Sequence, residues 1–265
     1  MKITKYVFVV LVYRNMDDLE EFINNIRSHK LDTEIIIVNS YYDEDSSNIC
    51  FNIANKNNCR ILNVENKGYG YGNNRGIEYA NKHFKYEYLI VSNPDILIKR
   101  FDENAISRLK GKVIGPIIKT LSNKDQNPYW YLNNPISEWL IYFGYKNRSK
   151  FIVYSGIAIN KVVREIFLKI YRRNNRIDKK VFALHGSFVI FSSDVLNVIG
   201  LPYDEEMFLF AEEAHLAHLL KTKNMDSFIT KGVEVLHKED GSISMGKIDE
   251  KSFIRDSVIK YYEKL

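Results

Sequence analysis

The 265-residue sequence predicts an α/β fold: a mixed, mainly parallel sheet flanked by helices, with an insertion after its first half. Two observations carry this expectation. Apolar runs alternate with helical patterns through residue 118, and the alternation then stops until about residue 181. The runs at 6–12, 34–38, 60–64, 87–91 and 112–118 are continuously hydrophobic, as strands covered on both faces are. Between them, 17–29, 45–57, 73–84 and 102–109 read as helices. Asp17 and Asp102 stand where a carboxylate can satisfy free backbone N–H groups. Sheets of this kind bind ligands beyond the carboxyl ends of their strands.

Residues 122 to about 176 are rich in Asn, Tyr and Trp and read as a partly helical insertion. Regular signals return at 181–191. Helices follow near 194–198 and 211–221, then a strand at 228–236 and a polar helix at 249–263. The expected organisation is one domain in three parts, 1–121, 122–181 and 182–265.

A chain with 45% hydrophobic and 27% charged residues is globular rather than disordered. Its net charge of +5 favours phosphate-bearing ligands or an anionic surface. No nucleic-acid-binding signature accompanies that charge, so no nucleic-acid partner is expected. Cys50 and Cys59 form neither a C-x-x-C pair nor a disulfide framework, which suits a reducing compartment. The apolar run at 6–12 lacks a small-residue cleavage site and reads as a buried strand, not a signal peptide. A cytoplasmic location is expected.

Four segments carry candidate chemistry. Asn66-Lys67-Gly68-Tyr69-Gly70-Tyr71-Gly72-Asn73-Asn74-Arg75-Gly76 follows a strand and opens a helix, where glycines allow close backbone approach and the N-terminus favours anions. A plain glycine turn is the bland alternative, and the spacing is no clean dinucleotide fingerprint. Asn93-Pro94-Asp95 puts a carboxylate at a strand's carboxyl end, suited to a divalent cation, although Asn-Pro-Asp is also a common turn. Glu212 and Glu213 open a helix, either as dipole complements or as a general base raised by burial. His237 ends a late apolar strand, as a structural histidine or a metal ligand.

In their order these motifs resemble the inverting family-2 glycosyltransferases of GT-A (Rossmann-like) fold, especially the rhamnosyltransferase-like branch. The resemblance runs over about 6–118 and 184–244. It includes Tyr13-Arg14-Asn15 and Asn39-Ser40 after the first two strands, the glycine segment, and Asn93-Pro94-Asp95. It continues with His185-Gly186-Ser187, Glu212-Glu213, and His237 with Gly241. The resemblance implies that Tyr13, Asn15, Asn39, Asn66, Lys67, Gly68, Asn73, Arg75 and Asn93 hold a nucleotide sugar. Gly186 and Ser187 would border the donor sugar and acceptor cleft. Asp95 and His237 would hold Mn²⁺ or Mg²⁺, and Glu213, with Glu212, would supply catalysis.

The implied partners are a dTDP-rhamnose or UDP-hexose donor and a glycan acceptor, lipid-linked acceptors included. The implied setting is polysaccharide or glycoconjugate assembly. Departures stand beside this. Asn39 and Glu213 replace the usual Asp, Arg14 replaces an Asn, and His215 replaces an acid. An inactive nucleotide-sugar-binding module is the alternative that Asn39 and His215 motivate.

Two further expectations concern the insertion. Tyr129-Trp130-Tyr131 and Trp139 offer faces for stacking an acceptor sugar or, equally, packing onto the core. Residues 161–173 form a basic amphipathic helix whose apolar stripe includes Val162, Ile166, Phe167, Ile170 and Tyr171. That stripe serves either its own core or peripheral contact with a membrane.

Overall fold

The computed structural model describes residues 1–14, 16–238 and 250–265, with side chains of 250 and 251 left aside. The chain starts with a central buried strand, β1 (Lys2–Val12), then α1 (Met16–Ser28), β2 (Thr33–Ser40), α2 (Glu44–Lys56) and β3 (Arg60–Val64). Helix α3 (Tyr69–His83) returns to β4 (Phe84–Ser92), and a turn leads to β5 (Ile96–Phe101), α4 (Glu103–Arg108) and β6 (Val113–Thr120). The insertion supplies α5 (Pro135–Lys146) and α6 (Lys150–Arg173). After it come β7 (Asp178–Val181), β8 (Phe188–Ser192), α7 (Ser193–Ile199), α8 (Glu212–Thr222), β9 (Ser227–His237) and α9 (Glu250–Glu263).

The strands form one sheet in the order β3-β2-β1-β4-β8-β6-β9-β5, with β7 also on β9. The first four are mutually parallel, as β-α-β crossovers require. Strand β8 then runs antiparallel to both β4 and β6, while β9 is parallel to β6 and antiparallel to β5 and β7. The expected mixed sheet with flanking helices is present, its parallel pairing concentrated in the first half.

Alternation along β1 explains the two-sided core. Tyr6, Phe8 and Val10 pack with Leu19, Phe22 and Ile23 of α1, while Val7 and Val9 face Ile77 and Ala80 of α3. A third cluster of Trp130, Ala183, Met207, Ala214 and Tyr261 ties the insertion to α8 and α9. Asp102 caps α4 as expected, its carboxylate accepting from Asn104 N and Ala105 N.

Three strands differ from the sequence expectation. The strand expected at 181–191 is interrupted, because His185-Gly186-Ser187 leaves the sheet before β8 begins. Strand β5 has only the short apolar stretch Ile96-Leu97-Ile98 before Lys99 and Arg100, and β7 is largely charged, so no long hydrophobic run announces either. The insertion is a helical pair packed backbone to backbone: a Cβ on Gly144 would lie 2.6 Å from Val153 N, and Ser137 Oγ donates to Gly156 O at 2.6 Å. No helix of the described residues is long and apolar enough to cross a membrane.

Candidate active site

Strand β4 stops where Pro94 cannot continue the ladder, and Asp95 follows at the sheet's carboxyl edge. Neighbouring β5 and β9 set Ile96 opposite His237, and Lys238 N donates to Asp95 O at 3.0 Å. Register alone therefore brings Asp95 beside His237. The Asp95 side chain is only 2% exposed, and neither carboxylate oxygen makes a hydrogen bond among the described residues.

His237 Nε2 lies 3.3 Å from Asp95 Oδ2, and His237 Nδ1 lies 2.7 Å from Gln126 Oε1. With Nδ1–H donating to the Gln126 carbonyl, Nε2 is left facing the buried Asp95 carboxylate. A buried carboxylate there calls for positive charge, which a proton on Nε2 or a metal ion held by both groups would supply. The pair fits Mn²⁺ or Mg²⁺, which take one or two protein ligands and complete their shell with phosphate and water. No group of three or more His, Cys, Asp or Glu ligands occurs among the described residues, so no closed all-protein cage competes.

The second half of the site is the start of α8. Phe210 and Ala211 both adopt positive φ, 73° and 70°, immediately before Glu212 and Glu213. Consecutive left-handed non-glycine residues are strained. The strap holding them is pinned on both sides: Tyr69 N donates to Phe208 O at 2.8 Å, and Ser257 Oγ donates to Leu209 O at 2.7 Å. Glu213 turns toward the loop before β8, where its Oε1 accepts Gly186 N at 3.3 Å. Glu212 is 5% exposed, and its Oε1 has no hydrogen-bond partner among the described residues. Burial pushes both carboxyls above the ordinary carboxylate range, and the charge of Glu213 adds to the shift at Glu212.

His185-Gly186-Ser187 joins the two halves. Asn93 N donates to Ser187 O at 2.9 Å, Tyr69 Oη donates to Gly186 O at 2.8 Å, and Gly186 N reaches Glu213. The rings of His185 and His237 lie 5.9 Å apart. Burial, with the charges of His237 and Arg164, lowers His185 to about 3 and keeps it neutral. Asn127 fixes this loop from behind, accepting His185 N at 2.8 Å and donating to Pro116 O at 2.9 Å. Sequence reasoning missed Gln126, Asn127 and Arg164, which come from the insertion and carry no motif.

The expected nucleotide residues lie along the same sheet edge, but several are occupied with protein contacts. Tyr13 packs edge-on against Tyr42, and the Arg14 guanidinium sits 3.6 Å from the Tyr42 ring centre. Asn39 is buried and donates to Ser47 Oγ and Asn63 Oδ1, each at 3.0 Å. Asn66 is exposed, and Lys67 pairs with Glu65 at 2.6 Å. Asn15 and Gly241 lie outside the described residues.

The glycine segment packs closely against neighbouring protein. Gly68 caps α3 at φ 111°, and a Cβ there would lie 2.3 Å from Phe208 O. Those on Gly72 and Gly76 would meet Leu11 and Val9 at 2.4 and 2.3 Å. These glycines admit neighbouring protein at close range. Asn73 lies a turn inside the helix, bonded back to Tyr69 O, and Arg75 is held by Glu78 and Glu205. Trp130 is likewise a packing residue, stacked between Tyr129 and Phe182, and Tyr131 stacks on Phe167 at 4.0 Å.

Residues 7–200 match the family model described as Glycosyl transferase family 2. The chain belongs to glycosyl transferase family 2. The match ends before Glu212, Glu213 and His237, so those residues rest on the geometry above. Among solved structures the family-2 chain is similar to the crystal structure of GalNAc-T7 with UDP, GalNAc and Mn²⁺, with a TM-score of 0.61 and 10% identity. The similarity covers 90% of this chain but 44% of that one, and establishes the GT-A fold. No curated protein sequence matches this chain.

Proposed function

We propose that this family-2 chain transfers a sugar from a nucleoside-diphosphate donor to a hydroxyl of a glycan acceptor by a single inverting displacement. The observation that carries the reading is the buried Asp95–His237 pair, joined through one loop to the half-buried Glu213. Asp95 and His237 would hold Mn²⁺ or Mg²⁺. When bound, the ion neutralises the diphosphate as it leaves.

The protein's own residues do the rest. Glu213 takes the proton of the attacking hydroxyl, its affinity for that proton raised by burial. Glu212, buried beside it and raised further by the Glu213 charge, holds its own proton and supports the placement of Glu213. Gly186 and Ser187 line the donor-sugar and acceptor cleft. The wall made by Tyr13 and Tyr42 receives the base, with Asn39 behind it and Asn66, Lys67, Gly68, Asn73, Arg75 and Asn93 along the nucleotide path. The rhamnosyltransferase resemblance favours dTDP-rhamnose, and the UDP and Mn²⁺ of the similar structure favour a UDP-hexose. The acceptors proposed are glycans of polysaccharide or glycoconjugate assembly at a cytoplasmic site, including those carried on lipid.

A thermal-shift panel of nucleotide sugars with Mn²⁺ tests this. A donor at about 100 times its dissociation constant raises stability by about 2.7 kcal/mol. The reading expects a shift with at least one donor that requires the metal, together with release of nucleoside diphosphate. A shift without release would instead indicate an inactive binding module. No shift with any donor would contradict both.

A further inference from the structure

We propose that the outer face of α6 docks on a bilayer carrying anionic headgroups. The inference deepens the transferase reading by placing the enzyme where a lipid-borne acceptor would lie.

The stripe expected at 161–173 divides between two faces. Phe167, Leu168 and Tyr171 face the core, with Val153 and Gly156 earlier on the helix. Val162, Ile166 and Ile170 point away at 58%, 55% and 61% exposure, and Phe151 extends their line at 82%. So many exposed large apolar side chains along one side of a single helix are unusual on a protein that stays in water.

Charge selects the occupant. Residues 135–176 contain nine Lys and Arg against Glu138 and Glu165, a net charge of +7. The whole chain carries +5, so everything outside this segment sums to −2. Lys150, Lys161, Lys169 and Arg173 have no ion-pair partner among the described residues. A second copy seated on this face would set +7 against +7. An apolar stripe flanked by unpaired cations matches the interface of an anionic bilayer, with side chains in the acyl boundary and ammonium groups among the headgroups. The same helix leads to the site: Arg164, on its inward side, is close enough to His185 and Tyr129 for its charge to act on both.

The test is flotation of the full chain with phosphatidylcholine vesicles, with and without phosphatidylglycerol. Binding is expected only with phosphatidylglycerol, weakened by salt. It should fall about tenfold or more in Lys161→Glu with Lys169→Glu, and be lost in Phe151→Ser with Ile166→Ser and Ile170→Ser. These positions are exposed, so circular dichroism should be unchanged. Metal-dependent nucleotide binding, read without vesicles, should be unchanged too, which separates this inference from the transferase reading. Absence of binding at low salt, equal binding to neutral vesicles, or indifference to both sets of substitutions would overturn it. So would a sedimenting dimer that the serine variant dissolves, which would assign the face to a second copy.

Discussion

At the scale of single residues, the proposed chemistry rests on Asp95, His237 and Glu213, whose surroundings are unlike those of ordinary surface acids and histidines. Glu213→Gln keeps size and the contact with Gly186 N but cannot take a proton. Transfer should fall by roughly 10²–10⁴ while donor affinity persists, as single-turnover kinetics and nucleotide titration would show. Unchanged transfer would move the base elsewhere. Because burial raises the folded-state affinity of Glu212 for its proton, the pH dependence has a defined sign. Both states are protonated at low pH. As pH rises above the ordinary carboxylate range, the folded state alone resists ionisation, and stability declines. Glu212→Gln should therefore unfold at a higher temperature than the parent in alkaline buffer, with the advantage vanishing as pH falls toward 4.5, the ordinary glutamate value. The same melting temperatures at every pH would mean that Glu212 is not buried as a carboxyl.

At the scale of elements, the legible parts were those with a strong local signal. Continuous apolar runs announced β1 to β4, and Asp102 announced the start of α4 because its carboxylate has an intrinsic use there. The glycine segment announced a close approach, but sequence cannot say what approaches. Here it is the strap bearing Phe208, together with β1. Gly68→Ala should cost more than about 1–3 kcal/mol, since it meets both a forbidden φ and a carbonyl oxygen. Ala211→Gly should do the opposite, relieving about 1–2 kcal/mol of left-handed strain. It should also slow transfer by loosening Glu213, and denaturant melts with steady-state rates would record both. Trp130 was ambiguous in sequence because aromatics serve stacking and burial alike. With its ring between Tyr129 and Phe182, Trp130→Ala should cost about 3–5 kcal/mol and leave the acceptor Michaelis constant unaltered at low temperature.

At the scale of the whole molecule, the site exists because distant segments meet at one sheet edge. Asp95 follows β4, His237 ends β9 far along the chain, and Glu213 reaches them through a loop that interrupts the approach to β8. Residue types and order pointed to these three positions, but the antiparallel insertion of β8 and the pairing of β5 with β9 decide their adjacency. Nothing local encodes that. The central claim is that Asp95 and His237 jointly hold a divalent cation against a nucleoside diphosphate. Calorimetric titration of UDP and dTDP into the protein, with and without Mn²⁺, tests it most directly when repeated on Asp95→Asn and His237→Ala. The account predicts that Mn²⁺ strengthens binding to the parent and that either substitution abolishes this gain. Equal Mn²⁺ enhancement in the parent and both variants would contradict it.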